Sequence, residues 1–201
     1  MRLIFVSLIL LLLNACASAP PDNTANICSM FEDRRSWYKA ASRAEDRWGT
    51  PVYISMAIIE QESSFNARAR PERRQLLGFI PWFRPSSAYG YAQVLDETWD
   101  EYKSNAPNWG ARRSNFSDAM DFVGWYTNSS VRRNSIPRTD AYNLYLAYHE
   151  GNGGWARGTY RNKGWLMDVA RNVQNTANVY QSQYQSCERD LSRNWFMRLF
   201  F

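Results

Sequence analysis

Histidine is nearly absent: the chain of 201 residues holds one, His149. Cysteine is scarce too, at three. One histidine and so few thiols cannot build a zinc site, and no metal or other cofactor is expected. After residue 15 no stretch approaches the roughly 18 consecutive apolar residues that a helical bilayer span needs, which excludes a many-pass membrane protein. Strand-like alternation of any length is missing, and internal repeats and low-complexity runs are missing beyond the N-terminus. The charge is only mildly positive, with 24 Lys+Arg against 19 Asp+Glu. Its basic residues are dispersed and form no zinc, RNP-like or basic-zipper pattern, so nucleic acid is not an expected partner. Aromatic residues, by contrast, are abundant, with nine Trp, twelve Tyr and ten Phe, enough apolar surface to exclude intrinsic disorder. The length suits one domain that buries roughly two-thirds of its unfolded surface.

Residues 1–15 read as a secretory signal, with Arg2, an apolar run from Leu3 to Leu13, and small residues after it. Leu13-Asn14-Ala15-Cys16 resembles the bacterial lipobox, which implies lipidation of Cys16 and anchoring at a membrane; the alternative is an ordinary signal cut after Ala15 or Ala19. Ala17, in place of a retention-type acidic residue, resembles the pattern of lipoproteins sent to an outer membrane, facing the periplasm of a bacterial envelope. Residues 16–30 are then a short polar tether. With Cys16 lipidated, Cys28 and Cys187 remain, and in an oxidising compartment an even pair is most simply a disulfide. Two buried free thiols are the alternative.

The body, residues 31–190, reads as mostly α. Trp37, Ala41, Ala44 and Trp48 recur at helical spacing and Gly49 ends that helix. Thr50-Pro51 opens a second helix through about Ser63. Ser117 is read as the cap of a helix carrying Ala119, Met120, Val123 and Tyr126, Asp140 starts another through Tyr148, and a last one runs from about Leu166 to Gln185. Residues 66–87 hold three prolines and five arginines around an apolar cluster, a length of irregular chain that is either functional or a flap packed on the body. Residues 191–201 are an apolar tail.

Helical geometry separates the glutamates of Ile58-Ile59-Glu60-Gln61-Glu62. At 100° per residue Glu62 projects within about 60° of Ser55, Ile58 and Ile59, and Glu60 about 200° away from it. A carboxyl among isoleucines ionises reluctantly and keeps a proton near neutrality, as a general acid must. The alternative is an acid exposed at the fraying helix end.

Glu62-Ser63-Ser64-Phe65-Asn66 resembles the Glu-Ser motif of the lytic transglycosylase SLT domain, glycoside hydrolase family 23, whose fold is a goose-type-lysozyme-like single α domain. The family's Gly-Leu-Met-Gln motif is matched by Gly90-Tyr91-Ala92-Gln93, and its Ala-Tyr-Asn-x-Gly motif by Ala147-Tyr148-His149-Glu150-Gly151. The resemblance implies that Glu62 protonates the oxygen linking N-acetylmuramic acid (MurNAc) to N-acetylglucosamine (GlcNAc) in peptidoglycan glycan strands. The substrate's own N-acetyl group assists at C1 and its C6 hydroxyl attacks, leaving a 1,6-anhydro end. Ser63, Ser86, Gly90, Tyr91, Ala92 and Gln93 are then expected at the sugar, with Tyr148 supporting Glu62 and Tyr180 contributing from the last helix.

Tyr91-Ala92 and His149-Glu150 depart from the family pattern. They leave room for a hydrolase of the same fold, or for a peptidoglycan-binding scaffold lipoprotein without turnover. His149 reads first as a structural histidine. Trp82, Trp99, Trp109, Trp125 and Trp155 are either core or sugar-stacking residues.

Overall fold

The computed structural model describes residues 19–73, 75–76, 80–81 and 83–193. The fold is mostly α, a single domain of helices α1 (Ile27–Asp33), α2 (Arg35–Trp48), α3 (Val52–Ser63), α4 (Asp96–Asn105), α5 (Phe116–Asn134), α6 (Ala141–Glu150), α7 (Asn152–Arg157) and α8 (Gly164–Ser192). A 3-10 turn, Thr159–Asn162, precedes α8. The signal stretch 1–15, Cys16, Trp82 and all but the first residues of the tail lie outside the described residues.

Helix α3 is the axis of the domain. Ile54, Met56, Ala57, Ile58 and Ile59 have no exposed surface, and a helix apolar on every side must be enclosed on every side. Helices α2, α5 and α8 enclose it. Asp121 of α5 binds the ring of helices together: its carboxylate accepts from Trp48 Nε1 at 2.8 Å, Tyr102 Oη at 2.7 Å and the Arg47 guanidinium at 3.0 Å. Three donors from α2 and α4 on one carboxylate make strong, charge-assisted bonds. Gly124 lets Trp48 approach α5 closely, since a Cβ there would meet the indole at 2.7 Å.

Three boundaries differ from the sequence expectation. Asn115, not Ser117, caps α5, its side chain accepting from Asp118 N. Thr50 makes no cap for α3; its hydroxyl is hydrogen-bonded to that of Thr127 at 2.7 Å in the core. The expected tether through residue 30 is largely part of the body, because Ile27, Met30 and Phe31 are fully buried. It is strapped to α8, where Gln183 donates to the Ala25 carbonyl at 3.1 Å and accepts from Ile27 N at 3.0 Å. The Cys28 and Cys187 sulfurs are bonded there, closing a sequence separation of 159 residues. Asp140 caps α6 through Asn143 N. In the 66–87 stretch a short antiparallel hairpin forms, β1 (Gln75–Leu76) pairing with β2 (Ile80–Pro81).

Candidate active site

The chain breaks abruptly after Glu62. Ser64 (φ +46°) and Phe65 (φ +59°) are both left-handed, a conformation that non-glycine residues hold only when their surroundings enforce it. The enforcement is visible: Phe65 is fully buried against Trp37, with ring centroids 5.5 Å apart. Trp37 also stacks on Phe116 at 3.8 Å.

Glu62 faces a groove of about 540 Å³ whose wall includes Gln93, Val94, Tyr126, Tyr148 and His149. The side chain keeps one open aspect toward that groove, while protein atoms crowd its carboxyl on the others. Burial pushes the carboxyl up to about 7, and a hydrogen bond from the Tyr145 hydroxyl restrains the rise. Tyr145 is itself buried, and burial with the facing carboxylate holds its phenol protonated well above the usual range. The arrangement can therefore hold and release one proton near neutral pH. Glu60 goes the other way, to a separate cleft beside Tyr180.

The turn that carries residues 90–93 forms the facing wall. Gly90 has φ +78°, and a Cβ on it would lie 2.1 Å from the Arg113 carbonyl oxygen, so only glycine fits. Gln93 is left-handed at φ +46°. Its Nε2 donates to the carbonyls of Ala69, at 3.0 Å, and Gly90, at 2.7 Å, which leaves its carbonyl oxygen to offer a ligand.

The expected substrate contacts are distributed differently. Tyr91 lies in the core, 3% exposed, edge-on to Trp37 and Phe116. Ala92 is fully buried and its carbonyl accepts from Tyr148 Oη at 2.6 Å. Tyr148 thus lines the groove while its hydroxyl clamps the turn; the hydroxyl that bonds Glu62 belongs to Tyr145, one helical turn earlier. Tyr180 is not at the groove: its hydroxyl donates to the Thr24 carbonyl and fastens the N-terminal stretch. Ser63 donates back into α3, to the Ile59 carbonyl. Ser86 lies just before the groove residue Ala88 and accepts from its N–H at 3.4 Å. Trp99 is core, Trp125 packs with Tyr102 and Phe122, Trp155 donates to Asn143, and Trp109 is 81% exposed.

His149 and Glu150 close one end of the groove. The Glu150 side chain is covered: burial alone would raise its carboxyl, but bonds from Lys163, Thr159 and His149 outweigh it and bring the carboxyl down to about 2. Among the described residues no group of three or more His, Cys, Asp or Glu is placed to hold a metal ion, and no helix is long and apolar enough to cross a membrane.

The sequence model of the transglycosylase SLT domain matches residues 4–187, nearly the whole chain. The protein belongs to the transglycosylase SLT domain family. Membership brings the family's peptidoglycan substrate and its general transglycosylase activity with it. No curated protein and no solved structure matches significantly. Within this SLT domain, Tyr145 is the residue that the sequence reading missed; the signal for it is its place three residues before Tyr148, about 60° around α6 on the same face.

Proposed function

We propose that this SLT domain is a peptidoglycan lytic transglycosylase in which Glu62 alone moves the proton, cleaving the MurNAc–GlcNAc β-1,4 bond and leaving a 1,6-anhydro-MurNAc end. The observation that carries the reading is the carboxyl held at about 7 in the groove by burial, with Tyr145 bonded to it. Protonated Glu62 gives its proton to the glycosidic oxygen as the C1–O bond breaks, and the substrate's acetamido oxygen bonds to C1. The resulting Glu62 carboxylate is stabilised by Tyr145. It then takes the proton of the C6 hydroxyl as that oxygen attacks C1 and expels the acetamido oxygen, which returns the acid to its starting state. One group serving as acid and then base works best with a pKa near the working pH. Substrate assistance removes the need for a second carboxylate at a fixed separation.

In this reading Cys16 carries lipid and holds the enzyme at the periplasmic face of the outer membrane, as the Leu13-Asn14-Ala15-Cys16 pattern supports; two or more acyl chains suffice for stable anchoring. Digestion of purified peptidoglycan followed by mass analysis of the released muropeptides tests the chemistry. Products lighter by one water than reducing ends, from the wild type and not from Glu62→Gln, are the expected result. Reducing ends from the wild type would instead make the enzyme a hydrolase. Absence of release would leave a binding protein. Substituting Cys16→Ala should move the protein out of the membrane fraction.

A further inference from the structure

Beyond the groove wall, Trp165 stands on the first turn of α8 with 57% of its surface exposed. Burial does not explain the residue, and the loop-borne Trp109 shows no comparable anchoring. Trp165 is held from one side by His149, whose ring meets the indole edge-on at 78° and 5.3 Å. His149 is in turn held by Glu150, with Nδ1 3.1 Å from Oε1. Glu150 is fixed by Lys163 Nζ at 2.7 and 3.0 Å and by the Thr159 hydroxyl. A carboxylate accepts only, so Nδ1 carries the proton, and in the neutral ring Nε2 remains as an acceptor. The sequence departs from its family at these positions, His149-Glu150, and the glutamate is spent on orienting the histidine and, through it, the indole.

An indole face beside an imidazole acceptor matches a pyranose, which offers an apolar C–H face and a rim of hydroxyl donors. Both groups are positioned before any ligand arrives, which lowers the ordering cost of binding. The wall at this end of the groove is continuous from Tyr148 through His149 and Glu150 to Gly151. We infer that Trp165 and His149 form an outlying saccharide subsite, which stacks a sugar of the strand some way from the bond cleaved at Glu62. The inference rests on the glycan-strand reading above.

The test uses Glu62→Gln protein, so that ligand is bound and not consumed, with Trp165→Ala and Trp165→Phe added to it. Linear β-1,4-linked GlcNAc oligomers, from dimer to octamer, are titrated calorimetrically. In the parent, affinity should rise with length until this subsite is filled. Trp165→Ala should remove the gain for the longer oligomers, by about three- to tenfold, while the shortest bind as before. Trp165→Phe should restore most of it. Equal affinity of parent and Trp165→Ala at every length overturns the subsite, as does a loss that is the same at every length, since that reports a damaged groove. If the parent binds no oligomer at all, the glycan-strand reading itself fails and the subsite with it.

Discussion

Tyr145→Phe isolates the one hydrogen bond that tunes Glu62. Burial drives the carboxyl upward, and the Tyr145 hydroxyl, donating to the ionised form, brings it back to about 7. Removing that donor withdraws support from the carboxylate and not from the neutral acid, so the pKa must move further up. A hydrogen bond to a charged group contributes about 1.5–3 kcal/mol, part of which the neutral acid also enjoys. A differential of about 1.4 kcal/mol, or one pKa unit, is the expected shift. The alkaline limb of kcat/KM, which reports the free enzyme, should therefore move about one unit upward from about 7. The plateau should fall, because Glu62 becomes a weaker acid toward the glycosidic oxygen once the carboxylate it leaves has lost its stabilising donor. The assay is the initial rate of muropeptide release across the pH range. Tyr148→Phe is the control: its hydroxyl is bonded to the Ala92 carbonyl, so rates should drop without a shift of the limb. A limb that stays in place or moves toward acid in Tyr145→Phe refutes the assignment.

Glu62→Gln should abolish release and also change the pH dependence of stability. A carboxyl raised from 4.5 to about 7 on folding contributes stability that is complete below 4.5 and lost as pH rises through about 7, at most about 3 kcal/mol and less where the groove admits water. Denaturant unfolding at pH 4 and pH 8.5 should show the Gln variant gaining on the wild type at the higher pH; an equal difference at both would mean that the carboxyl is not desolvated. Gly90→Ala should cost at least about 2 kcal/mol and most of the activity, since φ +78° and the Arg113 carbonyl both oppose a Cβ. A melting temperature within a degree of wild type counts against that contact. Removing Cys28 and Cys187 together should cost about 5 kcal/mol in the loop-entropy account of a separation of 159 residues, read as a fall in the denaturant midpoint that reduction of the wild type reproduces.

The elements legible in the sequence are those whose signal is local. Gly49 ends α2 in the left-handed region, φ +79°, and Asp140 caps α6, each because one residue's own conformation or side chain decides the outcome. The buried run Ile58-Ile59 beside Glu62 was equally readable from spacing. Failures occur where two residues offer the same local chemistry and long-range packing chooses between them. Asn115 and Ser117 are both competent caps, but Phe116 must enter the helix to stack on Trp37 at 3.8 Å, which puts the cap before it. Tyr145 and Tyr148 share a face of α6, and only the tertiary structure shows that the Tyr145 hydroxyl reaches Glu62 while that of Tyr148 reaches the Ala92 carbonyl. Tyr91 sits in a sugar-binding motif by sequence, yet the motif's turn points it into the Trp37 and Phe116 rings. Tyr180 depended on the register of α8, which the bonds to Thr24 and Ala25 and the disulfide set from the N-terminal side.

Among the described residues, non-glycine left-handed backbone occurs at Ser64, Phe65, Gln93 and Ser135, and three of these four flank Glu62 or face it. Such positions cost of order 1 kcal/mol or more each and persist only where packing over-determines them. Here the over-determination comes from the aromatic layer under the groove: Phe65 is locked on Trp37, and the turn to Gln93 is locked by Tyr91 below and by Tyr148 on the Ala92 carbonyl. The acid therefore owes its position to apolar packing behind it more than to polar neighbours beside it. Such a site can leave its carboxyl with one strong donor and little other solvation, which is the condition that keeps a proton on it near neutrality. The α6 terminus is held differently: the Lys163–Glu150 ion pair fixes the carboxylate that orients His149, and His149 in turn meets Trp165 edge-on.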